Sequence, residues 1–213
     1  MNKRSFWKRV NRGFLVSMVL LAGVLVYILV SLFMMMGAKK DIRSLADTVN
    51  DQVKAYLMLD EDTIRGYKDD PTALVKERER LQAEFKDKFD PDSKYLAAGV
   101  SSIMGNMIGI NDSEERYTAM TPDDTEVYGC TVDENLANIS VSYRYKTDGL
   151  FYDDSYVSPD NPKLELKKAK DVMLNVNINM TCKKVDGQWK IYRISGISVY
   201  TWGNKNFVEV TTA

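Results

Sequence analysis

Between Phe14 and Met36 run 23 residues without a charge, FLVSMVLLAGVLVYILVSLFMMM. As a helix rising 1.5 Å per residue the run is about 34 Å long, enough to cross a hydrocarbon core of about 30 Å with slight tilt. A helix in a globular core is shorter and keeps a polar face, whereas this one is apolar on every side. A cleaved signal peptide has an apolar stretch of roughly 7–15 residues followed by small residues at the cut. This run is longer, and Gly37-Ala38-Lys39-Lys40 makes a poor cleavage site, so an uncleaved signal-anchor is expected.

The flanks set the expected orientation. Lys3, Arg4, Lys8, Arg9 and Arg12 precede the run with no acidic residue among them, while Lys39, Lys40, Asp41, Arg43 and Asp47 beyond it are mixed in sign. The positive-inside rule then places the N-terminus in the cytoplasm and everything after Ala38 outside. From Lys39 onward there are 24 basic residues (the chain's 29 less those five) against all 30 acidic ones, a net of −6. That balance disfavours nucleic acid as a partner, and no basic stripe with interleaved aromatics appears.

Beyond the apolar run the periodicity is helical at first. Ile42, Leu45, Val49, Val53, Tyr56 and Leu57 fall at steps of three and four, which predicts an amphipathic helix over 41–59. Ile42, Val49 and Tyr56 take heptad position a and Leu45 a d position. The pattern is shorter than the three or four clean heptads of a coiled coil. The preferred reading is a stalk helix packed on its own domain; the alternative makes Ile42, Leu45, Val49 and Tyr56 a self-association seam. Asp70-Pro71 opens a second helix, with Asp as cap and Pro at the first helical position. Leu74, Arg78, Leu81, Phe85 and Phe89 line one face, with Arg78 expected to snorkel to solvent, and Asp90-Pro91 ends the run. Tyr95–Ile110, sixteen residues without charge, predicts a further helix buried against a sheet.

After Asn111 the period changes to two. Ile139, Val141, Tyr143 and Tyr145 alternate with Asn138, Ser140, Ser142 and Arg144, and Val172–Lys183 alternates in the same way. These read as antiparallel strands with one wet face. Asp186-Gly187 predicts a two-residue hairpin turn leading into a last strand that reaches about Trp202. Thr125–Val132 reads as a shorter strand, and the Asp-, Pro- and Lys-rich stretch 146–170 as a long exposed loop. The expected fold is α+β: a membrane helix and a stalk helix, then helices packed on a curved antiparallel sheet of about four strands. The expected organisation is a basic tail over 1–13, a membrane helix over 14–36, a juxtamembrane stalk over 37–66 and an extracytoplasmic domain over 67–213.

Three helices, a four-strand meander and the ending KKVDGQWKIYRIS (Lys183–Ser195) resemble the nuclear transport factor two-like, cystatin-like cone fold. A basic tail, one membrane helix and such a domain outside is also similar to the bitopic assembly factors of type IV secretion and conjugal transfer machines. That resemblance implies a non-enzymatic scaffold that self-associates and contacts other channel or envelope proteins. A cone fold often encloses an apolar pocket, so an extracytoplasmic ligand-binding or sensor domain is the alternative function. A flat patch or open sheet edge favours the scaffold, and a closed cavity the ligand binder.

Chemistry narrows the choice further. With no histidine in the chain, Ser-His-Asp and Cys-His nucleophile systems are excluded. Two cysteines make a poor zinc site, and no Gly-rich phosphate loop occurs. The adjacent acids Asp60/Glu61/Asp62, Asp69/Asp70, Asp123/Asp124 and Asp153/Asp154 read as turn and capping residues. Asp60-Glu61-Asp62 also lacks the alternating oxygen spacing of a calcium loop. No catalytic residue, metal or cofactor is expected. Cys130 and Cys182 lie on two predicted strands; outside the cytoplasm they pair as a disulfide or remain two buried thiols. Asn111-Asp112-Ser113, Asn138-Ile139-Ser140 and Asn179-Met180-Thr181 match the glycosylation pattern, the last two in mid-strand.

Overall fold

A computed structural model describes residues 12–112, 115–153 and 165–208, with backbone alone at 12 and 107–112. The chain divides into two compact units, Met1–Lys40 and Asp41–Ala213. Helix α1, Arg12–Leu57, contributes to both.

In the first unit the helix buries nothing. Phe14, Val19, Tyr27 and Phe33 are each more than three-fifths exposed. Bare apolar side chains all round a helix, with every backbone group bonded internally, suit lipid as the surrounding medium. Among the described residues this is the one helix long and apolar enough to cross a membrane.

In the second unit the same helix changes character. Ile42, Ala46, Val49, Val53 and Tyr56 repeat at steps of three and four and are at most 4% exposed. The stalk expected over 37–66 is interrupted: α1 ends at Leu57, and α2 spans Glu61–Asp69. Asp60 caps α2, accepting the Thr63 backbone N–H at 2.8 Å, with Glu61 and Asp62 in the first turn where the helix dipole favours anions. Asp70 caps α3, Pro71–Phe85, accepting from the Thr72 N–H at 2.8 Å. Leu81, Phe85 and Phe89 are buried and Arg78 is exposed, as the stripe predicts. Each such large apolar side chain contributes about 1.5–3 kcal/mol by leaving water. Tyr56 on α1 donates to Glu77 on α3 at 2.8 Å, and Arg80 clamps Glu77 and Glu84.

Helix α4, Leu96–Asp112, buries Val100, Ile103 and Met104. Gly99 is where it comes closest to its neighbours: a Cβ there would lie 2.8 Å from the Phe89 ring and 3.3 Å from Ile194. Only a residue without a side chain lets the helix approach so near.

The sheet is a meander of β1 (Arg116–Asp133), β2 (Leu136–Asp153), β3 (Glu165–Val185) and β4 (Gln188–Trp202), all antiparallel. A two-residue β5, Asn206–Phe207, pairs with β3 at Lys170 and Ala169. The inner face presents Ile139, Val141, Leu174, Val176, Ile178 and Ile191, none more than 3% exposed, and the outer face is polar. The α+β class is as expected. The Asp186-Gly187 turn is present, with φ of 49° and 81° as a type I′ turn requires.

One expectation is corrected. The stretch 146–170 is not a loop through most of its length: β2 runs on to Asp153, and β3 begins at Glu165. Phe151 and Ala169 are buried there, and Phe151 meets Tyr117 edge-to-face with ring centroids 5.7 Å apart. The polar residues in this stretch lie largely on the wet face or in ion pairs, such as Lys167 with Asp153 at 2.7 Å, so composition concealed the strand. Gly149 is required here because a Cβ would overlap the Arg116 carbonyl on β1.

Candidate interaction surface

The outer face of the sheet is a ladder of short polar side chains, because one residue in two on β2 and β3 points away from the helices. Asn138, Ser140, Ser142 and Arg144 stand in register with Thr181, Asn179, Asn177 and Asn175. Thr181 Oγ1 donates to Asn138 Oδ1 at 2.8 Å, and Ser140 donates to Asn179. Both mid-strand glycosylation patterns are therefore part of the ladder. Arg144 pairs with Glu126 and Asp124 of β1. Three atoms under this layer, Ser142 Oγ, Asn177 Oδ1 and Arg144 Nε, make no hydrogen bond within the described residues.

Three aromatic residues rise from the same surface. Tyr128 is 61% exposed, Tyr200 47% and Trp202 46%. Trp202 Nε1 donates to Asn175 Oδ1 at 2.8 Å, and Asn175 Nδ2 donates to the Tyr200 hydroxyl at 3.2 Å. Hydrogen bonds from Asn177 and Asn175 hold the Tyr200 phenol below its ordinary pKa. Rigid aromatics beside short amides and an arginine have the composition of a protein-contact surface. For two of them the sequence carries a signal: Ser198, Tyr200 and Trp202 share a parity along the last strand.

The two edges of the sheet differ. β1 carries three register shifts, Pro122 and the acids Asp123, Asp124 and Glu126, all of which obstruct strand addition. The first part of β4 is covered: Ile191 N–H donates to the Lys88 carbonyl at 2.8 Å, and its carbonyl accepts from Asp90 N–H at 2.9 Å. Over Gly196–Trp202 no described group hydrogen-bonds to the outward side of β4.

The residues singled out from sequence fall as follows. Ile42, Val49 and Tyr56 are at most 4% exposed and packed inside their own unit, and Leu45 is half-buried. Their apolar stripe is taken up by the domain's own core, and so is not left over for a seam between copies. Tyr143 and Tyr145 of β2 meet this helix, the first donating to Asp47 at 2.7 Å and the second accepting from Asn50 at 2.5 Å. Cys130 and Cys182 are not bridged, so of the two alternatives the structure has two separate thiols. Cys130 pairs across to Ile139, and Cys182 to Ala137, so β2 lies between them. Two strand spacings are roughly 10 Å, beyond the ~7 Å limit for a disulfide. Burial, reinforced by Cys130, pushes the Cys182 thiol up to about 12.

The acid pairs have structural partners. Asp60 and Asp70 cap helices, and Asp123 and Asp124 pair with Lys146 and Arg144. Asp154 lies outside the described residues. The buried carboxylates Asp90 and Asp153 each hold a lysine, Lys183 at 3.0 Å and Lys167 at 2.7 Å. Among the described residues no group of three or more metal-ligating side chains converges. Among the described residues, depressions open at two places on the surface. One of about 320 Å³ lies between Thr118, Asp148, Lys168, Lys170 and Val208. The other, of about 280 Å³, lies on the outer face between Asn138, Ser140, Asn179 and Ser195.

The fold and surface together define a class: an α+β domain with a polar, aromatic-studded outer sheet face, in a chain whose N-terminal helix is apolar enough to cross a membrane. No family model matches the chain, and no curated protein matches it by sequence. Among solved structures it is similar to the intermembrane space region of the chloroplast protein ARC6, at 13% identity and a TM-score of 0.27. That match covers 57% of this chain and 78% of the other, and at such a score it carries no argument.

Proposed function

We propose that this chain is a non-enzymatic, membrane-anchored scaffold or assembly component of a bacterial cell-envelope machine, with conjugal transfer or type IV secretion as the class of machine. Residues 14–36 serve as the anchor, the tail 1–13 is cytoplasmic, and the domain beyond is extracytoplasmic. The observation that carries the reading is the outer sheet face, where Tyr128, Tyr200 and Trp202 stand exposed over a hydrogen-bonded polar ladder. Among the described residues the apolar side chains of the inner face are buried within the domain itself, which favours surface contact over an enclosed ligand. Anchoring raises the effective concentration of partners in one membrane, so weak contacts on such a face suffice for assembly.

The test uses full-length protein in cell membranes, with a photo-cross-linking residue at Tyr128, Tyr200 or Trp202. Adducts with other envelope proteins are expected. External protease on protoplasts is expected to remove a C-terminal tag and spare an N-terminal one. If no position yields a protein adduct while a small molecule co-purifies with the protein, the ligand-binding reading replaces this one.

A further inference from the structure

An edge strand displays a row of unpaired N–H and C=O groups, and proteins blunt such edges with charge, proline, bulges or a covering segment. β1 has the first three, and the start of β4 has the last. Beyond a register shift at Ser195, over Gly196–Trp202, the described residues supply none of them. From Ile194 to Trp202 the sequence ISGISVYTW contains no charge and no proline. Its pairing with β3 runs from Asn179↔Gly196 to Met173↔Trp202 without a register shift.

We propose that this edge, Gly196–Trp202, is where two copies of the chain join, β4 against β4 antiparallel about a two-fold axis at Val199. The inference deepens the scaffold reading and rests on it only for the anchoring that brings two copies together. An isologous pair needs a strand that complements its own reverse. About Val199, Ile197 stands opposite Thr201 of the second copy, Ser198 opposite Tyr200, and Gly196 opposite Trp202. No charges face each other. A two-fold axis normal to the sheet keeps Ile197, Val199 and Thr201 on one face in both copies. On the outer face, the Cβ position of Gly196 opens on empty space, while Trp202 is 46% exposed. An aromatic opposite an edge glycine is a pairing that supports register. One seven-residue seam is narrow beside a standard interface, so it needs confinement in one membrane to be populated.

The test uses full-length protein in membranes with Cys130 changed to Ser. Val199→Cys is expected to oxidise to a disulfide-linked dimer. Mixed copies bearing Ser198→Cys and Tyr200→Cys are expected to cross-link more efficiently than either variant alone. Adding Ser198→Lys and Tyr200→Lys to Val199→Cys puts like charges opposite each other twice, and should lower the dimer yield about tenfold. An unchanged melting temperature for that variant shows that the domain still folds. Dimer yield no higher than from a Glu126→Cys control on β1, or undiminished by the two lysines, overturns the proposal. If Tyr200 photo-cross-links only to a different envelope protein, self-pairing falls and the scaffold reading stands. If the dimer forms but no outer-face position reaches another protein, self-pairing stands and the wider scaffold reading falls.

Discussion

The turn at Asp186-Gly187 separates conformational strain from steric fit. Gly187 has φ of 81°, and nothing lies within 4 Å of the place a Cβ would occupy. A side chain here therefore meets no neighbour, and the whole penalty is backbone strain. Left-handed φ costs an L-residue about 1–2 kcal/mol, and a branched Cβ belongs at the upper end. Replacing glycine also removes freedom from the unfolded chain, which returns about 0.4–1 kcal/mol. Gly187→Val should therefore cost a net of about 1–1.5 kcal/mol. Gly187→Asn, whose side chain tolerates left-handed backbone, should be nearly neutral. In a unit of this size 1 kcal/mol moves the melting temperature by roughly 2–4 °C, so Val should lower it by about 2–6 °C. The measurement is thermal unfolding of the protein in detergent micelles, followed by far-ultraviolet circular dichroism. If Val leaves the melting temperature unchanged, or Asn lowers it as much as Val, the left-handed turn is refuted.

Two further outcomes follow from buried titratable groups. Burial raises the phenols of Tyr56, Tyr117, Tyr143 and Tyr145, and nearby carboxylates raise each further, two of them through a hydrogen bond, Glu77 at Tyr56 and Asp47 at Tyr143. The folded state then holds these protons more tightly than the unfolded chain, so stability is intact below about pH 10 and falls as pH rises past it. Tyr143→Phe removes one such group and should flatten the alkaline decline by up to about 1.4 kcal/mol per pH unit, read from denaturant midpoints between pH 9 and 11. A slope identical to wild type would mean that Tyr143 is not buried as a protonated phenol. For the cysteines, a thiol reagent at pH 8 should label half-buried Cys130 and spare fully buried Cys182 in the native protein, with both labelled after denaturation. No native labelling at Cys130, reversed by reductant, would show the bridge that the strand spacing forbids.

What could be read in the chain itself is what short-range chemistry decides. The uncharged run Phe14–Met36 specifies its solvent, because only lipid suits a helix that is apolar all round. The start of α3 is written in Asp70-Pro71, and the last hairpin in Asp186-Gly187, because caps and turns answer to one or two residues. The alternation in β2 and β3 is equally local, and with it the wet face that forms the candidate surface.

The rest needed the tertiary structure. Stripe residues Ile42, Val49 and Tyr56 are equally apolar against a second copy or against their own sheet, and only packing shows that the sheet takes them. Phe151 and Ala169 lie in a stretch too polar to read as strand, and are buried because β1 and β3 flank β2 there. Cys130 and Cys182 are kept apart by strand order, a property of no single strand. The contrast between a β1 edge obstructed along its length and the Gly196–Trp202 part of β4, which no described group covers, is decided last. Bulges and covering contacts, such as Ile191 with Lys88 and Asp90, exist only in the pairing of segments distant along the chain.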